Sequence, residues 1–166
     1  MTVTVVAGNP KPDSRTLDAA RLLAEALCGR PADASVDVIT LGPGLLGWGD
    51  AGVEAAVATV SASSLVVVAS PTYKASYTGV LKLFLDQFAT AEGLAGVVAV
   101  PLMLGAGPAH AMAPDLLLKP VLVELGATCP TPGLYLRDKA YAEGPELAAF
   151  AERWAPTVTA VTGVAR

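Results

Sequence analysis

The run Leu65-Val66-Val67-Val68-Ala69 has no polar break, and that continuity limits the kind of sheet this chain can build. A strand with one face in water alternates apolar and polar residues. A strand that is apolar throughout must be covered on both faces, as in a parallel sheet flanked by helices. Val97 to Met103 repeats the pattern, and Val3 to Ala7 is a shorter version closed by Gly8. Helical spacing fills the intervals. Ser14 to Leu27 places Leu17, Ala20, Leu23, Ala24 and Leu27 on one side, with Asp13 or Ser14 available as a cap. Asp50 to Ala62, Gly79 to Phe88, Pro114 to Leu125 and Glu146 to Val164 also read as helices, the last bent or broken at Pro156. Ser35 to Leu41 alternates weakly, like a strand nearer an edge, and Gly42 to Gly49 is a Gly-Pro loop. Thr128 to Leu136 is extended, with Pro130 and Pro132 tolerable only at a sheet edge. Five strand–helix units with no composition break predict one α/β domain over residues 1–166. They fit a doubly wound parallel sheet of five strands in the order 2-1-3-4-5.

Composition narrows the partners. The 166 residues are 53% apolar and only 16% charged, with a net charge of −4 and no run of Lys or Arg. Nucleic acid is therefore an unexpected partner, because binding a phosphate backbone needs a basic stripe. Any bound phosphate must be held by a few local donors. The low charge also suggests that another subunit covers part of the surface. Cys28 and Cys129 are far apart and form no metal or redox motif. No apolar stretch is long enough to span a bilayer, and Met1 leads directly into a strand pattern, so a cytoplasmic location is expected.

In a sheet of this order strands one and three are neighbours, and ligands sit at the carboxyl ends where the order reverses. Two loops would meet there. Gly8-Asn9-Pro10-Lys11-Pro12-Asp13-Ser14-Arg15-Thr16 is rich in donors and opens a helix, which suits a phosphate. Ser70-Pro71-Thr72-Tyr73-Lys74-Ala75-Ser76-Tyr77-Thr78-Gly79 combines a stiffening proline, two tyrosines and several hydroxyls, which suits a flat, partly polar ring. Other users of this architecture fit poorly. A phosphoacceptor domain needs acidic residues after strand one and an Asp ending strand three, where this chain has Gly8-Asn9-Pro10 and Ser70-Pro71. A low-molecular-weight phosphatase needs a cysteine nucleophile in the first loop. The only G-x-G-x-x-G match, Gly42 to Gly47, follows the second strand and opens no helix, so it reads as a surface loop.

In these residues the chain resembles the NADPH-dependent FMN reductases of flavodoxin-like fold, and among them the alkanesulfonate-type flavin reductases that supply reduced FMN to a monooxygenase. The likeness covers roughly Val3 to Leu136. It rests on the Gly8 to Thr16 loop, on Pro71 to Lys82 followed by Leu85-Asp86, and on Pro101-Leu102 through Gly105-Ala106-Gly107 to Ala109-His110 and Leu118 to Leu122. The resemblance implies that Ser14, Arg15 and Thr16 hold the FMN phosphate, with Arg15 or Lys11 supplying charge and Asn9 a further donor. It implies that Pro71, Thr72, Tyr73, Lys74 and Ser76 lie along the isoalloxazine edge, and that Gly105, Ala106 and Gly107 border the ring's polar end. No side chain is expected to act as a nucleophile, and no metal is expected. The lone histidine, His110, reads as an orienting or packing residue.

The chain departs from that family at several places. Asn9 and Lys11 replace a Ser and an Arg common there, and Leu104 and Ala106 replace a Thr and a Gly. Leu116 follows Asp115 where the sulfonate-type enzymes place an aromatic residue, a position linked in them to a helix irregularity at the subunit interface. The resulting expectation is an NAD(P)H-dependent FMN reductase, a homodimer or homotetramer. It would use NADPH or NADH and pass reduced FMN to a monooxygenase or electrons to a small acceptor. The alternatives are a flavodoxin-like FMN electron carrier, or a quinone or azo reductase with tightly held FMN. The wide apolar arc of Gly79 to Phe88 favours the oligomeric enzyme and places Val80, Phe84 or Phe88 in a subunit interface.

Overall fold

The computed structural model describes residues 2–163. Its centre is a five-stranded sheet, wholly parallel, in the order β2-β1-β3-β4-β5. The strands are β1 (Val3–Ala7), β2 (Ala34–Asp37), β3 (Leu65–Pro71), β4 (Val98–Gly105) and β5 (Leu134–Arg137). Helices α1 (Arg15–Cys28), α2 (Ala51–Ser61), α3 (Gly79–Leu85), α4 (Lys119–Glu124) and α5 (Pro145–Thr162) connect and flank them. Every residue of β1 and β4 is buried, as is all of β3 except Pro71 at its end, which is the burial their unbroken apolar runs require.

Alternate residues of those runs feed two cores. Val3, Val5, Leu65, Val67, Val100 and Leu102 pack against α1 and α5 on one face. Val6, Val66, Val68, Ala99 and Met103 pack on the other with side chains of α2, α3 and α4. Phe84 and Phe88 belong to this second core, where their rings meet edge to face at 5.3 Å. Both are buried within their own chain, which corrects the expectation of an interface for these two of the three residues; Val80 is partly buried against the same core. The apolar arc of α3 is wide because the helix is nearly engulfed by its own fold, and Leu83 is its exposed apolar residue.

Several element boundaries differ from the sequence expectation for identifiable reasons. β2 stops at Asp37 rather than continuing to Leu41, because the chain there curls into 3-10 turns over Val38–Leu46. Thr40 Oγ1 closes the first of those turns on the Asp37 carbonyl at 2.7 Å. α3 ends at Leu85, and the chain leaves it through i to i−3 bonds from Gln87 and Phe88. The segment from Pro114 is not one helix: Pro114–Leu118 forms a π-turn, in which the Lys119 N–H donates to the Pro114 carbonyl, before α4 begins. Pro120 has no N–H to donate to Leu116, so one α-type bond is missing where the wider turn meets α4. The helix irregularity therefore occurs here with Leu116, not an aromatic residue, after Asp115. Of the extended stretch from Thr128, only Leu134–Arg137 forms a strand, and Thr128 makes a single bridge to Val98. α5 runs through Pro156 without a break, and the expected end at Val164 lies outside the described residues.

Candidate functional site

The site begins where β1 and β3 leave the sheet side by side. The Gly8 N–H donates to the Ala69 carbonyl at 2.9 Å, extending the pairing by one residue past β1. Thr78 then ties three pieces of chain together. Its hydroxyl makes a short hydrogen bond to the Gly8 carbonyl and accepts from the Leu81 N–H at 3.2 Å, capping α3. Its own N–H donates to Ser70 Oγ at 3.0 Å. A Cβ on Gly8 would stand 2.2 Å from Leu81 Cβ, so only glycine lets the first loop lie this close to α3. The two loops are thus fixed to each other through buried contacts, and they diverge only beyond this corner.

The divergence opens a cavity of about 310 Å³, within the size range of small-molecule sites. Asn9, Lys11, Asp13, Ser14, Arg15 and Thr16 form one wall, Pro71 and Tyr73 the other, with Leu104 from the end of β4 and Asp138 just past β5. Within the first wall, Asn9 Nδ2 donates to Thr16 Oγ1 at 2.9 Å while Asn9 Oδ1 accepts from the Lys11 N–H at 2.9 Å. Asn9 therefore folds the loop back on the start of α1. Asp13 holds a left-handed conformation (φ 48°), and its N–H is anchored to Asp37 Oδ2 at 2.9 Å. Ser14 is the N-cap of α1: its hydroxyl accepts from the Leu17 N–H, and its carbonyl from the Asp18 N–H. That leaves the amides of Arg15 and Thr16 as the uncommitted donors of the first turn, at the positive end of a 14-residue helix. Such a helix start suits an anion.

On the second wall, Tyr73 and Ser76 exchange two backbone hydrogen bonds, N to O 2.8 and 3.1 Å, across a tight turn. Lys74 and Ala75 at its tip both have positive φ, 49° and 69°. This backbone is unusual for residues with a Cβ and holds Tyr73 rigidly at the cavity, with its side chain about half exposed. Thr72, next to it, bonds through its N–H to the Leu104 carbonyl at 2.6 Å, but its hydroxyl oxygen is buried with no partner. The third loop is held by Tyr135, whose hydroxyl donates to the Gly107 carbonyl at 2.7 Å. A Cβ on Gly105 would meet Tyr135 Oη at 1.9 Å, which is why a residue without a side chain stands there.

Asn9, Lys11, Ser14, Arg15, Thr16, Pro71 and Tyr73, singled out from the sequence, are brought together in this cavity. Thr72, Lys74, Ser76, Gly105, Ala106 and Gly107 do not line it; Thr72 lies between the lining residues Pro71 and Tyr73 in sequence, and Gly105 follows the lining residue Leu104. His110 is exposed on the short turn Pro108–His110, away from the cavity and without a packing role. The Gly42 to Gly47 loop lies outside the cavity as well. Sequence reasoning missed Asp13, Leu104 and Asp138 as wall residues. Asp138 was within reach, because it stands just past the fifth strand, at the same sheet edge as the first and third loops, but the strand was expected to end at Leu136.

Two of the cavity's charges, Arg15 and Asp138, are paired. Arg15, about half exposed, donates to the Asp138 carbonyl at 3.1 Å, and its guanidinium lies 3.5 Å from the Asp138 carboxylate. Away from the site, burial pushes the Cys129 thiol up to about 11 and raises Cys28 as well, so neither is a ready nucleophile. Among the described residues no group of three or more His, Cys, Asp or Glu could hold a metal ion, and no helix is long and apolar enough to cross a membrane.

The family model described as NADPH-dependent FMN reductase matches residues 1–142. A protein of Pseudomonas putida named FMN reductase (NADPH) is 41% identical over 81 residues, 48% of this chain and 41% of that protein. One of the same name from Escherichia coli is 42% identical over 73 residues, 44% of this chain and 38% of that protein. The matched part thus spans about two-fifths of the length of these relatives. Among solved structures, the apo form of an NADH:FMN oxidoreductase superposes with a TM-score of 0.82 at 29% identity, covering 99% of this chain and 89% of the other. An oxidoreductase from Corynebacterium diphtheriae superposes with a TM-score of 0.80 at 25% identity, covering 99% and 96%.

Proposed function

This chain belongs to the NADPH-dependent FMN reductase family, and from that premise we propose that it catalyses hydride transfer from NADPH or NADH to the N5 position of FMN. The observation that carries the proposal is the convergence of the α1 start and the Pro71–Tyr73 segment on one cavity. The residues suit the group. The free amides of Arg15 and Thr16, with the Lys11 and Arg15 cations, fit a phosphate. The buried Thr72 hydroxyl, which has no partner, sits in sequence between the lining residues Pro71 and Tyr73, and a polar ring atom would satisfy it once the side chain turns to the cavity. Tyr73, Lys74 and Ser76 would border the isoalloxazine edge, and Gly105, Ala106 and Gly107 its polar end. The protein's part is to hold both nucleotides in register and exclude other geometries, since the flavin and nicotinamide carry the chemistry.

In this reading the whole chain is one FMN-binding domain acting in the cytoplasm as a homodimer or homotetramer. Leu83 on α3, Leu116 and Leu117 on the π-turn and Val123 on α4 are exposed apolar side chains that a second copy would cover. Reduced FMN would pass to a flavin-dependent monooxygenase. The test is to follow NADPH and NADH oxidation by absorbance, with and without added FMN. Oxidation that depends on free FMN supports a reductase with a diffusible flavin. A protein purified with bound yellow flavin and ping-pong kinetics supports a held cofactor. Absence of oxidation under both conditions contradicts the proposal.

A further inference from the structure

Taking the cavity as the FMN site, we propose that Asp138 is a specificity-determining residue that holds Arg15 until the FMN phosphate displaces it, so that FMN binds as an exchangeable reactant. The first ground is geometric. Arg15 begins α1, and its guanidinium reaches the cavity residue just past β5, the carbonyl of Asp138 at 3.1 Å and its carboxylate at 3.5 Å. Asp138 is itself held in place, since its N–H donates to the Gly105 carbonyl at 2.9 Å.

The second ground is the charge within the cavity. Its walls carry two cations, Lys11 and Arg15, and two carboxylates, Asp13 and Asp138. A phosphate dianion entering there finds one of the two cations already engaged. The Arg15 and Asp138 side chains are 58% and 31% exposed, so the pair is solvated and weak enough to open. A bidentate guanidinium–phosphate contact is the stronger interaction and can replace it. Part of that gain is spent on separating Arg15 from Asp138. The carboxylate thereby lowers affinity for phosphorylated flavins alone. Riboflavin has no phosphate and does not have to open the pair.

The experiment measures the dissociation constants of FMN and riboflavin, by quenching of flavin fluorescence, for wild type, Asp138→Asn, Arg15→Ala and the double variant. Asparagine keeps the size of the side chain and the backbone bond to Gly105, and thermal melts verify that each variant is folded; Asp138→Ala serves as a second variant if Asn does not fold. The expected result is that Asp138→Asn binds FMN about three- to tenfold more tightly, from the loss of one exposed ion pair and its negative charge. Riboflavin affinity should stay the same, and most of the FMN gain should vanish in the Arg15→Ala background. The gain should also shrink at high salt. Weaker FMN binding in Asp138→Asn would overturn the proposal, because Asp138 would then be aligning Arg15 for the phosphate. An equal gain with and without Arg15 would also overturn it, leaving only direct repulsion. If the wild type binds neither flavin, the FMN reading itself fails, and this inference with it.

Discussion

Single residues carry distinct duties around the sheet's carboxyl edge. Gly8 is there for close approach, and Gly8→Ala should cost about 2–3 kcal/mol, because the new Cβ collides with Leu81 Cβ and neither backbone can retreat without breaking the Ala69 or Thr78 bond. Urea denaturation checks this, and an unchanged midpoint would contradict it. At the opposite edge Asp33 latches the start of β1: Oδ2 accepts from the Val3 N–H at 2.7 Å, and Arg30 donates to both carboxylate oxygens. The Arg30 guanidinium, with the Val3 N–H, pulls the Asp33 carboxyl from 3.8 down to about 2. A depressed carboxyl stabilises the fold while ionised, so its contribution is full above 3.8 and is lost as the pH falls through about 2. The gap in melting temperature between wild type and Asp33→Asn should therefore be present at neutral pH and close in acid. A gap that does not change with pH would refute this assignment. Both cysteine thiols are raised by burial, so iodoacetamide near pH ~8 should label neither in the folded protein and both after unfolding.

At the scale of elements, the corner made by β1, β3 and α3 decides whether the two loops share a cavity. Thr78→Val removes the cap of α3 and leaves the Gly8 carbonyl unpaired in a buried place, which should cost about 2–3 kcal/mol. Thr78→Ser keeps the hydroxyl and should lose less than half of that in the same denaturation series. Equal losses would show that packing of the methyl matters more than the hydrogen bonds. The elements around this corner were legible in the sequence: an unbroken run such as Leu65 to Ala69 suits a strand covered on both faces, and Asp13 or Ser14 before spaced leucines marks a helix start, with Ser14 the one that caps it. The seven first- and second-loop residues that meet in the cavity follow from that topology, because strand order brings their loops together. Legibility failed where tertiary contacts override local pattern. Val38 to Leu41 looks like strand, yet Val38 is buried and the Thr40 hydroxyl closes on the Asp37 carbonyl in 3-10 geometry. The π-turn depends on which carbonyl Lys119 finds once Pro120 cannot donate, and periodicity does not resolve that choice. Phe84 and Phe88 read as an outward stripe because a spacing of four marks one face of a helix without saying what that face meets. Asp138 lay beyond an expected boundary, and its tie to Arg15 spans more than a hundred residues of sequence.

For the whole molecule, the sheet is a rigid platform whose two covered faces leave the carboxyl edge as the place where loops can differ. The proposed oligomer would use the apolar side chains that remain exposed on the α3 and α4 side. Sedimentation at micromolar concentration should give a dimer or larger species, and Leu116→Glu, on an exposed side chain, should shift it toward monomer without changing the melting temperature by more than a few degrees. A wild-type monomer would contradict the oligomeric reading. The central claim is that one cavity, walled by the start of α1 and by the Tyr73 turn, takes FMN. It is tested most directly by recording the amide NMR spectrum during titration with FMN. The account predicts the largest shifts at Arg15 and Thr16 for the phosphate and at Thr72 and Tyr73 for the ring, with riboflavin moving the second group far more than the first. Shifts concentrated at the amino edge of the sheet, or none at saturating FMN, would contradict it.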